Sequence, residues 1–223
     1  IPSFTAGSIA GEREKQTLDI LLTTTLTPGE IIMGKLMSSI SMVFLLVVSS
    51  LPIISIVFTI GGIGMEDMIM FMLEILIISF FIGSMGMLAS TMLKKTVQAT
   101  VCSFAQIVLV CGGTVVVVIV AYIAAKLYYY NCMGAVGSMP DVSSVLFILL
   151  INPAFTIVQM TAKHCESISV ISKAAGMLNG SMPSTIVDNW FKLSMISQMI
   201  VTVILLRMSA IFLKPARKKK TVS

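Results

Sequence analysis

Four long apolar runs, each bounded by charge or glycine, constrain this chain more than any other feature. They extend from about Lys35 to Ile60, ending at Gly61-Gly62; from Met68 to Leu93, between Glu66-Asp67 and Lys94-Lys95; from Val97 to Ala125; and from Leu193 to Leu213, closed by "KPARKKK". A hydrocarbon layer about 30 Å thick is crossed by roughly 20 apolar residues in helical conformation, because only a helix satisfies its own backbone groups there. With 57% hydrophobic and 11% charged residues and a mean hydropathy of +1.01, a water-soluble globular domain is excluded. The expectation is an all-α, polytopic integral membrane bundle of about four transmembrane helices.

A fifth apolar stretch, Val142 to Met160, is interrupted by Asn152-Pro153. Proline removes a backbone donor and turns the preceding residue away from helix. If this stretch crossed the membrane, the last helix would reverse and carry Lys214, Arg217, Lys218, Lys219 and Lys220 outside, against the positive-inside bias. It is therefore expected to be a short re-entrant or interfacial helical region on the outer side. The chain then divides into a cytoplasmic loop with a short helix (1–26), three transmembrane helices (27–125), an outer loop with short helices (126–192), a last transmembrane helix (193–213) and a basic cytoplasmic tail (214–223). Segments 1–35, 94–95 and 214–223 hold ten of the fifteen basic residues, against four between Lys126 and Lys192. The pI near 9.1 thus reflects topology in a multi-pass cell-membrane protein, and no nucleic-acid partner is expected. Tyr128, Tyr129, Tyr130 and Trp190 are expected at the outer headgroup layer.

Gly29, four residues, then Gly34-Lys35 mimics a phosphate-binding loop. That loop needs a glycine-rich turn after a strand and a Ser or Thr after the lysine; here Leu36 follows, and Ile31, Ile32 and Met33 fill the turn. Thr27, Pro28 and Glu30 instead spell a helix start: an N-cap, a proline in the first turn and a glutamate reaching back. Lys35 is expected at the inner membrane boundary, its stem snorkelling towards headgroups. No nucleotide is bound here, so no cofactor is expected.

Upstream, Leu18, Leu21 and Leu22 share one helical face, preceded by the mixed charges of Glu12, Arg13, Glu14 and Lys15. Such a short helix either docks in a partner's groove or lies on the membrane surface. Residues 8–40, "SIAGEREKQTLDILLTTTLTPGEIIMGKLMSSI", resemble the signature region of type-2 ATP-binding-cassette (ABC) transporter permeases. The matching positions are Ile9, Ala10, Glu12, Arg13, Glu14, Thr17, Leu18, Asp19, Leu21, Leu22, Gly34, Lys35 and Leu36. Gln16 stands where that family commonly has glycine, and Thr25 where proline is frequent. Asn152-Pro153 also echoes an Asn-Pro common in the family's outer region.

The resemblance implies a permease subunit of an ABC exporter that works with two copies of a separate ATPase subunit and a second permease subunit, identical or not, in the lipid bilayer. The ATPase would act through Glu12, Arg13, Glu14, Thr17, Leu18, Asp19, Leu21 and Leu22, and the permease itself would not be an enzyme. The helices correspond to the family's third to sixth, and the chain opens on Ile1, so an N-terminal truncation is expected.

Glu74, within the second run, is a candidate pathway residue, because a carboxyl there must face protein or water. Using it, an ion-coupled secondary transporter or channel is the competing reading. Ser79, Gly83, Gly86 and Ser90 form a small-residue edge on the same run, and Gly112-Gly113 another on the next, which reads as close helix packing. Eighteen methionines with His164-Cys165 raise an accessory role in copper-enzyme assembly, but their spacing is not ligand-like and no metal site is expected. Cys132 and Cys165 share the outer side, either as free thiols or as a disulfide. An intramembrane enzyme is disfavoured: there is one histidine, no His-Glu-x-x-His and no Gly-x-Ser-x-Gly.

Overall fold

A computed structural model of the chain describes residues 1–18, 27–60, 64–133, 141–166, 170–178 and 183–213, with backbone alone at 54–55, 57–60, 132–133, 163–166 and 184. The described residues are helical, without strands. In order they form α1 (Pro2–Glu14), α2 (Pro28–Ile60), α3 (Met65–Met92) and α4 (Thr96–Tyr128), which runs on through a π turn (Tyr129–Met133). A 3-10 helix (Ser143–Ile151), α5 (Pro153–Glu166), α6 (Val170–Met177), α7 (Ser184–Asp188) and α8 (Trp190–Leu213) follow. Four stretches are long and apolar enough to cross a membrane: Pro28–Ile53, Met65–Met92, Thr96–Asn131 and Trp190–Leu213. The 3-10 helix and the start of α5, bent by 107° at Asn152-Pro153, make a fifth if taken as one broken span.

Helix ends follow local chemistry rather than hydropathy. α2 starts at its cap, before the apolar run: the Thr27 amide donates to Glu30 Oε2 at 2.7 Å and the Glu30 amide to Thr27 Oγ1 at 3.4 Å, the reciprocal pair of a capping box. Glu66 and Asp67 occupy the first turn of α3, where the helix dipole favours anions. Asn152 is extended (φ −82°, ψ 108°), as the residue before a proline must be, and it ends the 3-10 helix while its side chain opens α5.

The chain forms two compact units. One comprises Ile1–Gly62, Ile69–Gln106 and Val201–Ser223, the other Ile63–Met68 and Ile107–Ile200. In the first, α3 is central: every residue from Gly83 to Thr91 is buried. A Cβ on Gly83 would lie 2.8 Å from Leu36 Cδ1, and one on Gly86 would lie 2.0 Å from Thr5 Oγ1 and 3.2 Å from the Ala6 backbone nitrogen. The small-residue edge of α3 is therefore where α1 and α2 approach most closely, as its spacing led one to expect. Gly112, by contrast, has nothing within 4 Å of such a Cβ, and Gly113 meets only Leu109 of its own helix. Ser209 on α8 adds a hydroxyl bond to Met87 O at 3.4 Å.

In the second unit Leu146, Leu149, Ile171, Ala175, Leu178 and Trp190 form the core. Tyr128 and Tyr130 are exposed, whereas Trp190, the first residue of α8, is 1% exposed and stacks on Phe147 with ring centroids 6.1 Å apart. Its large apolar area is buried against the 3-10 helix. Cys102 and Cys111 are free thiols. The side chains of Cys132, His164 and Cys165, and the tail from Lys214, lie outside the described residues.

Candidate functional site

The acidic-basic stretch at the end of α1 converges on the ends of three long helices. Glu12 pairs with Lys35 in the first turns of α2, and Lys35 Nζ also donates to Ser8 O at 2.7 Å. The lysine thus turns back to α1 instead of snorkelling outwards. Arg13 donates from Nη1 to Leu93 O at 3.1 Å and from Nη2 to Thr91 O at 3.2 Å. The last carbonyls of a helix have no partner of their own, so the guanidinium closes the end of α3. Glu14 does the opposite job for α4: its Oε2 accepts from the Thr96 hydroxyl at 2.7 Å and the Thr96 amide at 3.2 Å. Those donors, chiefly the hydroxyl and then the amide, hold the Glu14 carboxyl below its ordinary pKa although it is solvent-exposed.

α1 itself stops in a Schellman turn. The Thr17 amide donates to Glu12 O at 2.9 Å and the Gln16 amide to Arg13 O at 3.2 Å, with Gln16 at φ 59°. This left-handed position favours glycine, which accounts for the glycine expected at residue 16. Beyond the turn, Leu18 is buried with Ile9, Ile31, Ile32, Leu36 and Met87. Glu14, Lys15, Gln16 and Thr17 remain exposed. Asp19, Leu21 and Leu22 lie outside the described residues, so the expected leucine face is seen only at its first member.

Helix direction places these ends on one side. Contacts between α1 and α3 run in the same order on both: Thr5 at Gly86, the Ile9 and Ala10 amides on Ser90 Oγ at 3.0 and 2.9 Å, then Arg13 at Thr91 and Leu93. α1 and α3 are therefore parallel, and the end of α1, the start of α2, the end of α3 and the start of α4 share one end of the unit. Lys94 and Lys95 are exposed in the α3–α4 turn there.

Two further polar features sit within apolar helices. Glu74 on α3 is buried at 1% exposure. In the second unit, Asn152 Nδ2 donates to Cys111 O at 2.9 Å and Thr114 Oγ1 at 2.8 Å on α4, while its Oδ1 accepts the Phe155 amide at 3.1 Å. One turn on, Thr156 Oγ1 accepts from Gln198 Nε2 of α8 at 3.1 Å. Asn, Thr and Gln inside hydrophobic runs were the available signal for this seam, but only the fold shows what they join. Among the described residues, no group of three or more His, Cys, Asp or Glu is placed to hold a metal ion.

The family model for the ABC-2 family transporter protein matches residues 2–215, nearly the whole chain. The chain belongs to the ABC-2 transporter family. It is a multi-pass membrane permease of an ABC transporter, the transport subunit rather than a catalytic one, and membership implies association with an ABC ATPase. The stretch that resembles the family's signature region contains the turn tied down by Glu12, Arg13 and Glu14. No curated protein and no solved structure matches the chain.

Proposed function

We propose that this permease couples ATP hydrolysis by a separate ATPase, acting on the cytoplasmic segment around residues 12–22, to export of a substrate across the cell membrane. Two ATPase copies and a second permease subunit complete the transporter. The end of α1, the α3–α4 turn and the tail after Leu213 face the cytosol. ATP-driven movement of the ATPases pushes on this segment and biases the permease between inward-open and outward-open states, a bistable element driven by differential affinity.

The observation that carries this reading is the convergence of Glu12, Arg13 and Glu14 on the ends of α2, α3 and α4, because force applied next to that point reaches three long helices at once. Leu18 is occupied within the chain, so the partner's contacts fall on exposed Lys15, Gln16 and Thr17 and on the segment that follows. The test is purification of the complete protein from membranes and assay of the eluate for a co-purifying ATPase, repeated with Lys15→Glu and Thr17→Asp. Reduced co-purification with unchanged helical content supports the docking surface. Transport in nucleotide-free vesicles that depends on Glu74 overturns the reading in favour of an ion-coupled carrier.

A further inference from the structure

We infer that Arg13 and Glu14 are positioning residues that lock α1 to the turn between α3 and α4, so that α1 and the adjoining ends of both helices move as one lever. Ser90 is the third point of the lock. The inference rests on the coupling reading for its direction of force, but the lock itself is a property of this chain.

The lock joins residues 78 to 82 positions apart in sequence, in matching order along two parallel helices. At its base, Gly86 brings the α3 backbone against Thr5 and Ala6. One turn on, the Ser90 hydroxyl accepts two consecutive α1 amides, so a side chain of α3 is built into the hydrogen-bond ladder of α1. At the top, Arg13 spans two carbonyls that straddle the end of α3. This suits a planar guanidinium and not a lysine ammonium, which is a compact point charge. Glu14 then crosses the turn to the first amide of α4, where an anion also meets the positive end of the helix dipole. Sliding α1 along α3 breaks Ser90, Arg13 and Glu14 contacts together. Lateral separation breaks the same set. What remains easy is movement of the whole assembly.

The Schellman turn adds the point of entry. Because Glu12, Arg13, Gln16 and Thr17 close the end of α1 on itself, displacement of the exposed residues just beyond Glu14 is delivered to Arg13 and Glu14 without an intervening hinge. Glu12 and Lys35 extend the lever to the start of α2. Glu14 is the exposed latch, and Arg13 and Ser90 are the protected ones.

The test uses the full chain with Cys102, Cys111, Cys132 and Cys165 replaced by serine and spin labels at Lys15→Cys and Lys94→Cys, reconstituted in lipid nanodiscs. The parent without nucleotide is expected to give one narrow spin–spin separation. Arg13→Ala, Arg13→Lys and Glu14→Ala should each broaden it, while Glu14→Gln, which keeps an acceptor oxygen, should retain the parent distribution. Should the Arg13 variants not fold, Thr96→Val and Thr96→Ser carry the same comparison, since serine keeps the hydroxyl bond and valine loses it. A parent distribution left unchanged by Glu14→Ala and Thr96→Val overturns the lock.

A second arm adds ATP and vanadate to the co-purified ATPase complex and reads a fluorescent probe at Val97→Cys, on the exposed first turn of α4. The probe should respond in the parent and lose most of its response in Glu14→Ala with ATPase binding retained, a result that mere loss of folding does not give. A response retained in full by Glu14→Ala overturns the lever. If nucleotide leaves the Val97→Cys probe unmoved in the parent while the nucleotide-free separations behave as expected, the lock is supported and the ATPase coupling of the preceding section fails.

Discussion

Replacing Gly86 by alanine should open the seam on which the lock depends. The new Cβ would sit 2.0 Å from Thr5 Oγ1, 3.0 Å from Thr5 Cβ and 3.2 Å from the Ala6 nitrogen. Rotation of Thr5 relieves only the first of these. The other two belong to atoms fixed by the α1 backbone, so the helices must part by several tenths of an ångström. One turn away, the two bonds to Ser90 start at 3.0 and 2.9 Å and are carried towards the length at which such bonds weaken. Overpacking costs about 1–3 kcal/mol and weakened hydrogen bonding about 1 kcal/mol more, while exchanging glycine for alanine within a helix returns about 1 kcal/mol, leaving a net loss of about 2 kcal/mol. The comparison is Gly112→Ala, on a site with open space, which should be neutral or slightly stabilising. Unfolding by sodium dodecyl sulfate in mixed micelles, followed by helical circular dichroism, measures both. Thr5→Ala combined with Gly86→Ala should recover part of the loss, because the 2.0 Å contact is gone and the 3.0 Å contact stays. Equal stability of Gly86→Ala and Gly112→Ala would refute the close-packed seam.

Gln16→Gly should raise stability by about 1 kcal/mol in the same assay, since φ 59° costs an L side chain that much and glycine nothing; a loss of stability would remove the Schellman turn as the explanation. The folded-state pKa of Glu14 is depressed below its ordinary 4.5, so its contribution is fully present above that pH and is lost as pH falls through the depressed value. The thermal midpoint of the parent should fall below pH 4.5 more steeply than that of Thr96→Val, which lacks the hydroxyl donor, and parallel curves would contradict the assignment. Asn152→Leu should cost about 2 kcal/mol by removing the bonds to Cys111 O and Thr114 Oγ1 and the cap on Phe155, read as loss of stability and faster hydrogen exchange at the start of α5.

The spans were legible because twenty-residue apolar runs between charges have few other destinations, and the caps at Thr27–Glu30 and Asn152-Pro153 were legible because their chemistry is local. The start of the first span was legible from the cap and not from hydropathy: the apolar run opens near Lys35, but α2 begins at Pro28 as the capping box implies, since a satisfied cap extends a helix past the edge of its hydrophobic run. The small edge Gly83–Gly86–Ser90 announced close packing without naming its partner, because spacing on one helix carries no information about which helix arrives. The Glu12–Arg13–Glu14 charges illustrate the limit most clearly. Read locally they make a mixed-charge helical turn offered to another protein; in the fold each reaches a different, sequence-distant helix end. Leu18, the first member of the expected leucine face, packs in a buried cluster whose members no local pattern names. The burial of Trp190 against Phe147 was not legible either, because it depends on a 3-10 helix unforeseen in type.

A coupling element faces two demands that seem opposed: it must present itself to a partner and yet transmit force without yielding. Coupling free energies between sites typically amount to 1–3 kcal/mol. Hydrogen bonds to charged groups contribute about 1.5–3 kcal/mol each, so the two Arg13 bonds together with the two to Ser90 match or exceed the proposed load, and on the proposed coupling the assembly moves before it breaks. Charges placed instead on the partner-facing surface would be exposed and screened, worth at most about 1 kcal/mol per pair. Binding Glu12, Arg13 and Glu14 to the permease's own helix ends while Lys15, Gln16 and Thr17 are left exposed separates the two demands within six residues. On the proposed coupling, the charged triplet supplies stiffness, and the residues after it supply the surface on which the ATPase would push.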